Sequence, residues 1–504
     1  MPNKNQRHHR ADLARIATHV MTERGLEPEF SQNVERQLGK ITGAADETPK
    51  SDPQIRDLTG LLWCSIDNDD SEDLDQLTVC EVQKDGKVKL LVAIADVDAL
   101  VKPGSPIDDH AQTNTTSVYT SARIFPMLPE RLSTDLTSLN PHVERLAVVT
   151  EMVLNADASL AGSTVYRARV RNQAKLAYDA LSEWIDGKAP LPEAAAAVPG
   201  LEALLRTQDS VAQQLRARRR TEGSLEFETF QPRAVFDGEE VVDIRQQVQN
   251  RGRQLIEEVM IATNGCTARF LASHGGASLR RVVRSPERWL RIVNVAKEYG
   301  EDLPQEPNSK ALELFLAKRR KADPLRFPDL SLVIVKLMGR GEYVLETPGG
   351  PLIGHFGLAV RDYTHSTAPN RRYPDLITSR LVKATLARQP PPYSNSELAA
   401  LAEHCTRQED AAQKVERQMR KSEAALVLES RIGQYFDGVV TGASDKGVWV
   451  RIFSPPAEGK VVTTTAGLGV GDKVRVKLIA TNVERGFIDF VMGQNQERRD
   501  GQKQ

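Results

Sequence analysis

The sequence predicts an α+β fold in three parts: a small helical, helix-turn-helix-like unit at the N-terminus, a large central body, and a small closed barrel of about five strands at the C-terminus. Three observations predict it. Short β-type runs dominate from Leu61 onward, longer helical patterns follow, and a cluster of short alternating strands with Gly turns begins after Gly433. Strands and helices segregated in this way mark α+β rather than a regular βαβ succession.

The helical unit spans residues 1–45 and reads as Ala11–Arg24 and Phe30–Ile41, with Gly25 as a C-cap and Pro28 as a restart between them. A Gly-, Ala-, Asp-, Ser- and Pro-rich stretch follows, so residues 46–57 read as a linker. The central body covers 58–432. Its clearest buried strand is Val88–Ala95, preceded by a Lys84–Lys87 hairpin turn. Helical patterns come at Tyr178–Asp186, Leu201–Arg218, Arg253–Ser273 and Pro286–Tyr299, and in the second of these Leu201, Leu204, Leu205, Val211 and Leu215 make one apolar face. Ser394 to about Ile432 reads as one long Pro-free helix, capped by Ser394 or Asn395. Residues 433–493 then carry barrel strands at Gly438–Val440, Gly447–Ile452, Val474–Ile479 and Phe487–Val491, and 494–504 read as a polar, disordered tail.

The chain has 504 residues, enough to bury a sizeable core without cross-links. Cys64, Cys80, Cys266 and Cys405 are widely spaced and form no C-x-x-C pair, which predicts reduced thiols and a cytoplasmic protein. No apolar run approaches the roughly 18 residues needed to span a membrane, and the basic N-terminus lacks the apolar stretch of a secretory signal. A net charge of -1 hides local patches, so it does not count against a nucleic-acid partner.

Six acids fall within the nine residues Asp67–Asp75: Asp67, Asp69, Asp70, Glu72, Asp73 and Asp75. So much like charge calls for a cation or basic groups, and hard oxygen donors without Cys or His favour Mg²⁺, with Mn²⁺ as a substitute. A calcium loop fails on detail, since Glu72 stands where Gly is required and Thr78 where the twelfth-position Glu belongs. A solvated acidic turn remains open on this segment alone. A second cluster, His355 to Leu376, pairs Arg371 and Arg372 with Thr, Ser and Tyr; this suits phosphate binding and equally suits a surface salt-bridge cluster.

Together the two clusters resemble the RNB catalytic domain of ribonuclease II and ribonuclease R. Asp67, Asp73 and Asp75 match three of that family's four aspartates, whereas Gln76 stands at the fourth, so one negative charge is missing from the implied metal shell of Asp67, Asp73, Asp75 and Gln76. Asp69, Asp70 or Glu72 are candidates to compensate. Val92–Asp96 is similar to the family's strand ending in Ile-Ala-Asp. The resemblance makes Asp75 and Arg371 catalytic, with Arg371 stabilising charge on the scissile phosphate and Arg372 packing in support, both within reach of RNA. Arg253–Asn264 is similar to the family's Glu-Glu-x-Met helix. There Glu257 matches a residue that contacts ribose hydroxyls, Tyr178 a tyrosine that shares the task, and Met260 is expected in the core. Tyr119 and Phe227 match positions that clamp stacked bases, although either aromatic by itself would more often be core.

Tyr435–Gly442 and Lys446–Val450 resemble the first strands of an S1-like OB fold, where Tyr435, Phe436 and Trp449 are candidates to stack on bases; a generic small barrel is the alternative. The family usually carries two cold-shock barrels ahead of the catalytic domain, in place of which this sequence has helical character. The resemblance implies a monomeric 3′→5′ hydrolytic exoribonuclease that takes a single-stranded RNA 3′ end, uses Mg²⁺ and releases 5′-monophosphates. A catalytically silent RNA-binding regulator and a DNA-directed nuclease are the other readings.

Overall fold

The structure, a computed structural model, describes residues 9–46, 54–228, 232–246, 249–324, 326–351, 353–444, 447–463, 468–469 and 471–493. The expected tail 494–504, most of the expected linker, and Lys446 and Val470 of the barrel motif lie outside them.

Two helices open the chain, α1 (His9–Glu23) and α2 (Gln32–Leu38). Ser31 caps α2 by accepting from the Val34 N–H. The two helices serve different cores: Leu13, Ile16, Ala17, Val20 and Met21 of α1 pack with residues far along the chain, whereas Val34 of α2 joins the central core.

The central sheet is built from β1 (Ile55–Asp57), β2 (Trp63–Asp67), β3 (Gln76–Val82), β4 (Val88–Ala95), β7 (Glu144–Leu154) and β8 (Leu160–Ala177), in the order β1-β8-β2-β3-β4-β7. Because β8 also pairs with β7, the sheet closes on itself. Residues 46–57 are therefore not all linker: Ile55, Arg56 and Asp57 pair in parallel with Arg167, Ala168 and Arg169, and Ile55 is buried. Three residues with one buried apolar side chain are too short to announce a strand. The predicted strand Val88–Ala95 is observed over those same residues. Between β4 and β7 lie α3 (Pro106–Asn114) and the small hairpin β5 (Val118–Tyr119) and β6 (Ile124–Phe125).

After the sheet come α4 (Tyr178–Ile185), α5 (Glu193–Ala196), α6 (Leu201–Glu222), the hairpin β9 (Pro232–Asp237) and β10 (Glu240–Gln246), and α7 (Arg251–Ser273). Gly252 lets α7 start against α4, since a Cβ there would stand 2.7 Å from the Tyr178 carbonyl. Strand β11 (Ser278–Val282) pairs with β12 (Glu342–Glu346), and between them α8 (Trp289–Glu298), α9 (Ser309–Ala322) and α10 (Phe327–Met338) form a helical cluster with its own core. Helices α11 (Tyr373–Leu386) and α12 (Asn395–Glu429) complete the body. The Ser394–Glu397 pair forms a capping box that starts α12 where the sequence places it.

Strands β13 (Tyr435–Ser444), β14 (Gly447–Phe453), β15 (Pro456–Val461), β16 (Lys473–Asn482) and β17 (Phe487–Met492) close into a barrel, order β13-β14-β15-β17-β16. Gly438 permits the β13–β14 crossing, as a Cβ would meet the Arg451 carbonyl at 2.6 Å. The barrel core of Val440, Val450, Ile452, Val476, Leu478 and Phe490 also takes in Ala424, Ala425 and Leu428 from the end of α12. An ion pair between Arg451 and Asp329 of α10 (2.8 Å) ties the barrel to the helical cluster. Among the described residues no helix is long and apolar enough to cross a membrane.

Candidate nuclease site

The acidic segment enters from β2, turns through Asn68–Asp75 and returns as β3. Asp69, Asp70 and Glu72 lie exposed on that turn, whereas Asp73 is half-buried and Asp75 is buried. The burial comes from the Arg371 loop. The Asn370 N–H donates to Asp75 Oδ1 (2.9 Å), and Arg371 Nε stands 3.6 Å from Asp75 Oδ2. That second oxygen is buried and accepts no hydrogen bond from the protein. Burial pushes the Asp75 carboxyl up to about 8, with the Asp73 charge adding to the rise and Arg371 opposing it. Burial raises Asp73 as well, again against Arg371 and with the Asp67 charge adding to it.

Two tyrosines flank this group. The Tyr119 hydroxyl donates to Asp73 Oδ2 (3.2 Å), so Tyr119 touches a carboxylate as well as offering a ring. Tyr178, the first residue of α4, follows β8 where Ala177 pairs with Asp67. Burial raises its phenol, and the Asp67 charge adds to that rise. Arg253 lies over the Tyr178 ring, 4.7 Å from its centre, and donates to Asn68 Oδ1 (2.8 Å). Sequence reasoning gave Arg253 and Asn68 no role; an Arg at the start of a helix shows no partner until the fold supplies one.

The Arg371 loop is held from beneath. Asp375, wholly buried, accepts from the Thr367 and Ala368 N–H groups (2.7 and 2.9 Å) and from Arg372 (2.7 Å). Arg372 thus donates within its own loop through one guanidinium nitrogen, to Asp375 and to Thr367 (3.4 Å). Asn264 of α7 accepts from Ser366, joining the third motif to the second. Arg371 itself keeps a half-exposed side chain beside Asp75.

The other expected residues are more scattered. Glu257 is exposed on α7 and accepts from Gln249 (3.0 Å). Met260 packs partly against the core, as expected. Phe227 packs partly against the α8–α10 core. Gln76 is buried on β3 and donates its amide to the Ile66 carbonyl (3.3 Å), one residue before Asp67. On the barrel, Trp449 alternates with buried Val448 and Val450 and faces outward beside Lys460 (5.9 Å). Tyr435 is 52% exposed between Arg475 and Lys477, whereas Phe436 is barrel core, which corrects the expectation that it stacks on bases. Adjacent strand positions point to opposite faces, so only one of that pair faces out.

The donor set fits a hard divalent cation: carboxylates without thiolate or imidazole, one of them carrying a buried oxygen that no protein group satisfies. Among the described residues no three acidic, His or Cys groups are gathered closely enough to hold an ion by themselves. The protein would therefore supply part of a shell, as Mg²⁺ sites commonly do.

Comparison with known proteins decides the family. Residues 55–388 match the model of the RNB domain, and 434–492 that of the RNase II-type exonuclease C-terminal S1 domain. The chain belongs to the RNB family. Among curated members, ribonuclease R of Vibrio cholerae is 31% identical over 94% of this chain, and ribonuclease R of Escherichia coli 30% identical over 92%. The chain spans 61% and 60% of the length of those two relatives. A solved RNB structure, Mycoplasma genitalium RNase R in complex with ribose methylated single-stranded RNA, superimposes with a TM-score of 0.86 at 22% identity. It covers 96% of this chain and 78% of the other, a likeness of fold.

Proposed function

We propose that this RNB protein is a 3′→5′ exoribonuclease that hydrolyses single-stranded RNA to nucleoside 5′-monophosphates with Mg²⁺. The observation that carries the proposal is the Asp75–Arg371 pair: a buried carboxylate with one unsatisfied oxygen, facing a half-exposed guanidinium at 3.6 Å. Asp67, Asp73 and Asp75 would hold the ion, with Gln76 able to offer at most a neutral oxygen beside Asp67. When bound, Mg²⁺ activates water and offsets charge on the phosphate. Arg371 stabilises the negative charge that grows on the phosphate oxygens, and needs no reorganisation because Asp75 and its loop already hold it. Tyr178 and exposed Glu257 would read the ribose, a carboxylate accepting from a 2′-OH being a direct way to prefer RNA. Tyr119 would meet the bases at the 3′ end, and Trp449 and Tyr435, each beside basic groups, would hold the strand on the barrel. The binding of single-stranded RNA by Mycoplasma genitalium RNase R, which shares this fold, supports the substrate class.

Gln76 favours one second reading, a silent RNA-binding protein, because it removes a charge from the metal shell. A 5′-labelled RNA incubated with Mg²⁺, with and without EDTA, beside matched DNA and a 3′-blocked RNA, separates the two. A metal-dependent ladder with free 5′-monophosphates is expected. Binding without cleavage in Mg²⁺ or Mn²⁺ would establish the silent reading.

A further inference from the structure

The hairpin that carries Tyr119 is gripped from two sides. On one side the Ser117 N–H and the Thr116 hydroxyl both donate to the Arg371 carbonyl (3.0 and 3.1 Å). On the other, two carboxylates of α12 accept from the same segment: Glu416 from the Tyr119 N–H (3.1 Å), and Glu423 from the Ser121 N–H (3.4 Å) and hydroxyl (3.0 Å). Glu416 and Glu423 are seven residues apart, so they share one helix face about 10 Å apart along the axis. Beyond the grip, the Tyr119 hydroxyl reaches Asp73 (3.2 Å). Val118 and Phe125 of the hairpin are buried against Val415 and Met419 of α12 and against α1, so the segment has little room to shift. Immediately after Glu423, Ala424, Ala425 and then Leu428 belong to the barrel core.

We infer that Glu416 and Glu423 are positioning residues for the nuclease site: through the Thr116–Ser121 segment they set the Tyr119 hydroxyl against Asp73, and α12 joins that setting to the seat of the barrel. Removing either carboxylate frees a backbone N–H that the fold otherwise satisfies, loosens the hairpin, and leaves Asp73 without its tyrosine donor. The consequence for turnover rests on the exoribonuclease reading; the consequence for Asp73 as a cation ligand does not.

The test follows Mn²⁺ binding to the full chain by electron paramagnetic resonance, beside Mg²⁺ titration of single-turnover RNA hydrolysis. Glu416→Ala and Tyr119→Phe are each expected to weaken Mn²⁺ binding by about three- to tenfold, the range of one ordinary net hydrogen bond, and to raise the Mg²⁺ requirement in step. Because both act through the same hydroxyl, the double variant should bind no more weakly than Tyr119→Phe alone. Glu416→Gln keeps an acceptor oxygen and should restore binding, and Glu403→Ala, on the same helix with an 80% exposed side chain, should change nothing. Should Glu416→Ala fail to fold, Ser121→Ala, which removes only a hydroxyl bonded to Glu423, carries the same expectation. Unchanged Mn²⁺ affinity in Glu416→Ala, or penalties that multiply in the double variant, would overturn the inference. A wild type that binds Mn²⁺ yet leaves RNA intact would defeat the nuclease reading and leave the Mn²⁺ comparison to decide this one. A wild type that binds no Mn²⁺ would defeat both.

Discussion

Two groups of three aspartates sit in this chain, and they are treated in opposite ways. Asp96, Asp98 and Asp108 are answered from within: Arg167 and Lys383 meet Asp96 (3.1 and 2.7 Å), Lys383 and Arg380 meet Asp98 (2.8 and 3.0 Å), and Arg380 meets Asp108 (2.7 Å). Although burial alone would raise Asp98, Lys383 and its basic neighbours hold that carboxyl below its ordinary range. At Asp67, Asp73 and Asp75, Arg371 stands 3.6 Å from Asp75, and the carboxyls of Asp73 and Asp75 are raised by burial. A buried acid cluster that serves the fold is neutralised by the chain's own cations, because an unpaired buried charge is costly. The second cluster lies beside a half-exposed guanidinium, where the proposed cation and phosphate would enter. Charge balance, rather than acid count, separates the internally paired cluster from the candidate site.

The comparison can be broken most severely at Asp75. Asp75→Asn should lower hydrolysis by roughly 10²- to 10³-fold or more while RNA affinity in a filter-binding assay stays near wild type; wild-type turnover would remove Asp75 from the site. The reverse pattern is expected in the structural cluster. Arg380→Ala leaves Asp98 and Asp108 short of a buried partner and should cost about 3–5 kcal/mol in urea unfolding, with turnover of the remaining folded fraction unchanged.

A pH experiment sharpens the contrast. With its carboxyl pushed up to about 8, folded Asp75 keeps a proton that the unfolded chain releases at its ordinary, lower pKa. Stability from this group is therefore full at low pH and lost as pH rises toward and through 8. In EDTA, Asp75→Asn should be more stable than wild type at pH 9, with the gap closing by pH 4; parallel stability curves would contradict the assignment. The smallest effect is expected at Gln76. Gln76→Asp adds a charge beside Asp67 and should lower the half-saturating Mg²⁺ by about threefold, read from the Mg²⁺ dependence of hydrolysis. An unchanged requirement would mean that position 76 does not face the ion.

Part of the candidate site was legible before the fold. The resemblance of the acidic and basic clusters to the RNB signature pointed to Asp67, Asp73, Asp75 and Arg371, and the structure brings Asp75 and Arg371 together across the chain. Arg253, Asn68, Glu416 and Glu423 were not legible. Each is an ordinary polar residue on a helix or turn, and its partner lies far away in sequence, so no spacing rule marks it. Phe436 misled for the same reason: an aromatic beside Tyr435 carries no local sign of which face it takes until the strand register is set.

What the sequence determined by itself is local and periodic. The alternation of Val88–Ala95, the capping box and Pro-free run of α12, and the short Gly-punctuated strands after Gly433 follow from backbone propensity and side-chain period, which act over a few residues. What only the tertiary structure decided is charge and contact. Whether Asp75 keeps an unsatisfied oxygen while Asp98 is paired, and whether Gln76 turns to the Ile66 carbonyl, depends on chain segments brought together from far apart. Electrostatic energy in a low-dielectric interior is set by distances of a few ångströms, and only the closed fold sets those distances.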